Sequence, residues 1–124
     1  MPKLYAGHRP DDFDEYRDTV VASLRRPGYA RAFTLTTRTD HDAAEARLGD
    51  VSSPTLVIMG EQDPDFPVPS DEAAWIGQTL SAEVVMVPKA GHYPQSQQPE
   101  ITSQAVLRFL GTINLGTSDQ WIVR

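Results

Sequence analysis

Cysteine is absent from this chain of 124 residues. Its absence excludes disulfide bonds, a thiolate nucleophile and cysteine-ligated zinc. No apolar run approaches the ~20 residues that a transmembrane helix needs. The N-terminal stretch 1–12 also lacks the hydrophobic segment of a signal peptide. We therefore expect a cytoplasmic protein with no membrane partner.

Positive charge is scarce and is not clustered. The chain has 11 Lys and Arg against 17 Asp and Glu, which gives a formal net charge of −6. The only adjacent basic pair is Arg25-Arg26, with Arg31 nearby, a pattern typical of a solvated helix face. Because nucleic-acid binding needs clustered Lys and Arg, we expect no nucleic-acid partner.

The first part of the chain, residues 1–50, is predicted to form short helices. The first would begin after Asp11 or Asp12 and end near Arg26, before Pro27-Gly28. Its apolar residues recur at spacings of three and four, which predicts one apolar stripe. They are Phe13, Tyr16, Val20 and Leu24. A second, weaker helix is predicted over 29–37, and a third from just after Asp40 to about Gly49.

The second part, residues 51–113, changes to a strand–helix–strand pattern. The continuous apolar run 55–59, closed by Gly60, predicts a strand buried on both faces, as in parallel sheets. After a proline-rich loop, Ser70 is predicted to cap a helix to about Leu80, with residues 73–76 near its buried side. A second buried strand is predicted over 84–87. The unit has about the ~30 residues of a βαβ motif, so the two strands are expected to run parallel.

A last helix is predicted to follow a loop that extends to Gln98, with Pro99 in its first turn. Its apolar residues recur at helical spacing, which predicts a broad apolar stripe. The members are Ile101, Ala105, Val106, Phe109, Leu110 and Ile113. Residues 114–124 have no clear period and are interpreted as a tail.

Two residues that can carry chemistry follow the two predicted strands. Asp63 lies just past the first strand and His92 just past the second. Neighbouring strands are ~4.8 Å apart, and the carboxyl ends of parallel strands share one edge, so the two side chains are expected to meet. A carboxylate that holds one nitrogen of an imidazole fixes its tautomer, and the other nitrogen can then act as a general base. Gly60 and Gly91 supply backbone freedom beside them.

These residues carry a family resemblance. The stretch PTLVIMGEQD (54–63) resembles the α/β-hydrolase strand that delivers the acid of the catalytic triad. The segments VVMVP (84–88), AGHYP (90–94) and QPE (98–100) resemble the strand, the histidine loop and the start of the final helix of that superfamily. The order of acid before histidine also matches. The resemblance implies an α/β fold that corresponds to the C-terminal portion of an α/β-hydrolase, with 1–50 as lid-like helices.

By this resemblance Asp63 is the triad acid and His92 the base, in hydrolysis of an ester-type small molecule by a serine. Asp65 is the alternative acid, two residues further on. Tyr93 and Phe66 are candidates for shaping the pocket, or simply pack the loops. No cofactor is implied.

The nucleophile that this chemistry needs is missing from the chain. No G-x-S-x-G motif occurs, and no oxyanion-hole loop follows an early strand. Two strands also make little sheet, because three or more are usually needed for independent stability. The alternatives are the C-terminal piece of a longer enzyme, half of a split hydrolase completed by a partner chain, or a non-catalytic remnant. An unpaired strand edge also favours self-association of the chain. Because the nucleophile is missing, the isolated chain is expected to be inactive.

Other classes of site fit less well. His8, His41 and His92 lack the short spacing of metal ligands, and the acidic residues 61–65 do not fit a calcium-binding loop. The loop after the first strand has only Gly60, whereas phosphate-binding turns are glycine-rich. The main non-enzyme alternative is a protein-binding helical module that uses the apolar stripe of residues 13–24.

Overall fold

The computed structural model describes residues 2–7 and 9–113, and it has a mixed α/β architecture. Two strands and six α-helices are joined by short loops and two single-turn 3₁₀-helices, at Pro2–Leu4 and Leu48–Asp50. The α-helices and strands follow in chain order, with these bounds: α1 Phe13–Leu24, α2 Tyr29–Thr36, α3 Asp42–Glu45, β1 Leu56–Gly60, α4 Pro69–Leu80, β2 Glu83–Val87, α5 Pro94–Gln97 and α6 Pro99–Thr112.

The two strands pair in parallel, as the crossover helix between them predicts. The register runs from Leu56 opposite Glu83 to Gly60 opposite Val87, so both strands end at the same level. Within the described residues the sheet has two strands. Each strand therefore has one edge that pairs and one edge with no strand partner in that part of the chain. The loops of Asp63 and His92 both leave from the common carboxyl end of the two strands.

The prediction that both strands are buried on both faces is wrong for most of their length. Only Met59, Gly60 and Val87 are buried, the rest of β1 is half-buried, and Val84 is 37% exposed. Burial thus concentrates at the carboxyl ends of the strands. Helices α4, α5 and α6 pack on this small sheet.

The crossover helix α4 begins two residues earlier than a cap at Ser70 predicts. Pro69, not Ser70, starts the helix after Val68, so the predicted capping role of Ser70 is wrong. Proline fits the first helical turn because the missing N–H has no partner there. The buried residues of α4 are Ala73 and Gly77, whereas Trp75 is 42% exposed.

The rotation of α4 follows from its small residues. Gly77 lies so close to the side chain of Val84 that a β-carbon would overlap it. Ala73 and Gly77 are four residues apart, so they share one face and let the helix approach the sheet. Of the residues 73–76 predicted near the buried side, Ala73 is buried and Ile76 half-buried, while Ala74 and Trp75 are exposed.

The N-terminal helices are covered only in part. Phe13 is buried, but Tyr16 is 47% exposed, so the predicted stripe of α1 is only partly packed. Helix α2 matches its predicted range to within one residue and is exposed throughout. The predicted third helix is divided into α3 and a 3₁₀ turn. Helix α3 begins at Asp42, two residues after Asp40. The side chain of Asp40 accepts a hydrogen bond of 2.7 Å from the N–H of Asp42, which lowers the pKa of the Asp40 carboxyl.

The C-terminal helices differ from the prediction in two respects. Helix α5 lies inside the range predicted as a loop, and it begins at a proline. Helix α6 begins at Pro99 as predicted, but its buried residues are Thr102 and Ala105, while Ile101 and Val106 are exposed. The predicted tail 114–124 lies outside the described residues. In that described part, none of the helices combines the length and apolar character that crossing a bilayer requires.

Candidate active site

The structure brings Asp63 and His92 together at the carboxyl ends of β1 and β2. The imidazole Nδ1 of His92 lies 3.0 Å from Oδ2 and 3.2 Å from Oδ1 of Asp63. The two residues are 29 positions apart in the chain. They meet because Gly60 and Val87 are register partners at the ends of parallel strands, so both loops leave from one edge.

The two partners differ in exposure. The Asp63 side chain is 5% exposed, whereas that of His92 is 38% exposed. A buried carboxylate needs hydrogen-bond donors, and Asp63 has the imidazole Nδ1 together with the N–H of Asp65, 3.0 Å from Oδ1. When Nδ1 donates to the carboxylate, Nε2 is the nitrogen that can accept a proton. The pair can therefore orient an imidazole and stabilise its protonated form.

Asp65, the alternative acid, also approaches the imidazole. Its Oδ2 lies 3.2 Å from Nδ1 of His92, but its side chain is 52% exposed. Asp63 is the better orienting group on two grounds, because it is buried and because it makes the hydrogen bond. Asp65 places a second carboxylate next to Nδ1.

The three side chains Asp63, Asp65 and His92 are the group in the described chain with ligand atoms close enough to share a cation, all within 4.8 Å. The same atoms already contact one another, since both carboxylates face the one nitrogen Nδ1. The contacts form one imidazole–carboxylate cluster at the carboxyl ends of β1 and β2.

Glycines let the two loops approach each other closely. A β-carbon on Gly60 would overlap the carbonyl oxygens of Ala90 and Gly91. The N–H of Gln62 donates to the carbonyl of Ala90 at 2.9 Å, and the N–H of Glu61 donates to that of Val87 at 3.0 Å. Pairing thus continues past the ends of the strands into the loops of Asp63 and His92, which restrains both.

The N-terminal segment supports the histidine loop from the other side. The N–H of His92 donates to the carbonyl of Leu4 at 2.8 Å. Gln97, 3% exposed, accepts a hydrogen bond of 2.8 Å from the N–H of Gly91, and its side-chain nitrogen donates to the carbonyl of Ala6. Gln97 therefore joins the histidine loop to residues 4–6. This role could not be predicted, since a buried glutamine in a polar stretch has no periodic signature.

Aromatic rings continue from the histidine towards the N-terminal segment. The rings of His92 and Tyr93 are 5.0 Å apart and nearly perpendicular, and the ring of Tyr5 is 4.9 Å from that of Tyr93. The pKa of the Tyr93 phenol is raised, first by burial and then by the negative charges of its neighbours, which include Asp65 and Asp63. Phe66, the other predicted pocket residue, is half-buried, and its N–H lies 3.5 Å from the carbonyl of Asp63.

Comparison with models of protein families, with curated proteins and with solved structures finds no match to this chain. Function must therefore be inferred from the site. Its parts are a buried acid, a histidine held at Nδ1 and half-open to solvent, and a tyrosine against the imidazole. These parts provide proton transfer and stabilisation of a cation, but no nucleophile elbow.

Proposed function

We propose that this chain supplies the acid-and-histidine half of an α/β-hydrolase active site, as the C-terminal portion of that fold. The single observation that carries the proposal is the hydrogen bond from His92 Nδ1 to the buried carboxylate of Asp63, at the ends of two neighbouring parallel strands. The fit of 54–63 and 84–100 to the acid strand, histidine loop and final helix of that superfamily supports it. The proposed reaction is hydrolysis of an ester-type small molecule.

In this reaction His92 moves the proton in both directions. Nε2 takes the proton of a serine hydroxyl as the serine oxygen attacks the ester carbonyl, and the resulting imidazolium gives it to the leaving alcohol. Water then repeats the sequence on the acyl-serine, which releases the acid and regenerates the serine. Asp63 keeps Nδ1–H directed towards itself and stabilises the imidazolium through both steps.

The serine and the oxyanion donors must come from polypeptide outside these residues. The half-buried β1 and β2, each with an edge that no strand of the described chain covers, support completion by further strands. Those strands belong to a longer form of the same polypeptide or to a partner chain, and another copy of this chain would compete for the same edges.

The first experiment tests how His92 is held. Two-bond ¹H–¹⁵N correlations of the imidazole in the neutral state report which nitrogen carries the proton. We expect the Nδ1–H form in the unchanged chain, because the carboxylate of Asp63 accepts that proton. Asp63→Asn should shift the population towards Nε2–H, since an amide can turn its own N–H towards the ring.

Asp65→Asn is the matched control, with the same chemical change two residues away. It should leave the tautomer largely as it was, because Asp65 is exposed and lies only at ion-pair distance. A larger shift for Asp65→Asn than for Asp63→Asn would overturn the assignment of the acid. An Nε2–H form in the unchanged chain would overturn the proposed base.

The second experiment tests hydrolysis. A serine-directed fluorophosphonate should leave the chain itself unlabelled, because it lacks the G-x-S-x-G serine. An extended protein that includes that motif, as a longer polypeptide or through a partner chain, should be labelled and should hydrolyse p-nitrophenyl esters. His92→Ala should abolish both, and Asp63→Asn should lower kcat by roughly 10⁴-fold, as in serine triads. Labelling of the extended protein that survives His92→Ala would contradict the mechanism.

A protein-binding module is the second candidate function. It is supported by the exposed apolar residues of α2, where Phe33 is 58% and Leu35 57% exposed. A partner that binds through this helix should bind equally well to Asp63→Asn and His92→Ala. Loss of hydrolysis in those variants, with binding unchanged, separates the two functions.

A further inference from the structure

A small aromatic pocket lies beside the Tyr5–Tyr93 pair. It has a volume of about 190 Å³, and three of its lining residues are Tyr5, Phe13 and Tyr16. Pro10, Asp12 and Ser96 complete the lining. A cavity of about 150 Å³ suffices for benzene, so this pocket has room for one compact group of that size.

The walls of the pocket suit a cation better than a plain apolar group. The rings of Tyr5 and Phe13 are 4.9 Å apart at 74°, so two ring planes meet almost at a right angle. Ring faces carry the negative part of the aromatic quadrupole and attract cations within about 6 Å. Phe13 already has a cation near it, since the guanidinium carbon of Arg9 lies 4.9 Å from its ring centroid.

Charge around the pocket points in the same direction. The carboxylate of Asp12 belongs to a lining residue. The ring of Tyr93 is 4.9 Å from that of Tyr5 and tilted by 36°. The pKa of Tyr93 is raised because burial, Tyr5, Tyr16 and the carboxylates of Asp65 and Asp63 all disfavour a negative charge there. The negative charges of Asp65 and Asp63 also favour a positive charge nearby, whereas burial disfavours a charge of either sign. Arg9 is the opposing group, and its charge would weaken the attraction of a second cation.

We propose that this pocket binds an alkylated ammonium group, such as the trimethylammonium head of choline. The methyl groups would pack on the three rings, and the positive charge would face Asp12. An ammonium without alkyl groups would lose more hydration free energy on leaving water, so alkyl groups on the nitrogen favour binding. If the proposed hydrolytic function holds, the substrate would be an ester that carries such a head, since Tyr5 and Tyr93 connect the pocket to His92.

The experiment compares choline with 3,3-dimethylbutan-1-ol, the uncharged isostere in which carbon replaces nitrogen. Chemical-shift titrations of the intact chain by NMR give both affinities. Choline should bind about five-fold more tightly or better, which corresponds to about 1 kcal/mol of cation–π attraction. Asp12→Asn should weaken choline and leave the isostere unchanged, and Arg9→Gln should strengthen choline.

Tyr16→Leu tests the rings, and Tyr29→Leu is its control, because both tyrosines are similarly exposed but Tyr29 lies on α2. Only Tyr16→Leu should weaken choline. The proposal would be overturned by equal affinity for choline and the isostere or by no binding of choline. It would also be overturned by an equal loss of choline affinity in the two leucine variants. Choline should still bind to His92→Ala. Failure of the proposed hydrolysis can therefore be distinguished from failure of choline binding in this pocket.

Discussion

Gln97 is the residue whose replacement tests the structure most directly. In Gln97→Ala the N–H of Gly91 and the carbonyl of Ala6 both lose their side-chain partner. Gln97 is 3% exposed, so water has little access to replace it. Each unpaired buried group costs about 1–3 kcal/mol. For the two groups together we therefore expect the free energy of unfolding to fall by about 2–6 kcal/mol, which is large against the usual ~5–15 kcal/mol of a domain.

The effect should also reach the site. Gly91 precedes His92, and release of its N–H frees the histidine loop on one side, so the Nδ1–H tautomer should be less populated in the variant. Urea unfolding followed by circular dichroism measures the stability, and the imidazole NMR spectrum measures the tautomer. The two readings are expected to change together.

Two further variants show whether the hydrogen bonds of Gln97 are the cause. Gln97→Glu keeps an acceptor for Gly91 but buries a carboxylate that faces the carbonyl oxygen of Ala6, so at neutral pH it should not restore the stability that Gln97→Ala loses. Gln95→Ala is the matched control, because Gln95 is exposed on the same helix, and it should change stability by no more than about 0.5 kcal/mol. Equal midpoints for Gln95→Ala and Gln97→Ala would refute the role assigned to Gln97.

Two other predictions concern close packing and pH. Gly60→Ala should lower the free energy of unfolding by about 1–3 kcal/mol or more in urea titrations, because its β-carbon overlaps backbone oxygens. Gly111→Ala is a helical control with nothing within 4 Å of the new β-carbon, and it should raise the free energy of unfolding by up to about 1 kcal/mol. A Gly60→Ala chain more stable than Gly111→Ala would contradict the packing at Gly60. Tyr93 should ionise above the usual pKa of 10.0 in the folded chain. Since the folded pKa is the higher one, its contribution to stability is complete below pH 10.0 and is lost as the pH rises through the folded value. An ultraviolet titration in which Tyr93→Phe removes an early-titrating group would contradict this.

Local patterns were enough to predict the elements that carry the site. The apolar runs 55–59 and 84–87 and the helix between them predict a parallel pair, which is observed. From that alone Asp63 and His92 are expected at one edge, and their contact follows from the register. Proline at the first turn correctly predicts the start of α6, because its backbone angle and missing N–H suit that position.

Other features could not be predicted, because they depend on what lies nearby in space. The rotation of α4 is set by how closely Gly77 approaches Val84, so Trp75 faces outward although its neighbours are apolar. Strand burial depends on how many helices cover the sheet, and the apolar runs show only that the strands could be buried. The short helix α5 lies in a stretch with few apolar residues, where no hydrophobic period marks a helix.

The sequence by itself therefore determined the order of the elements and the edge at which a carboxylate and an imidazole would meet, since strand direction and chain order follow from local pattern. Only the tertiary structure decided which groups hold them there. The hydrogen bonds of His92 with Leu4 and of Gln97 with Ala6, and the ring contact of Tyr5 with Tyr93, join segments far apart in the chain. Such contacts arise when the chain packs, because a hydrogen bond or a ring contact depends on positions in space and leaves no periodic mark on the sequence.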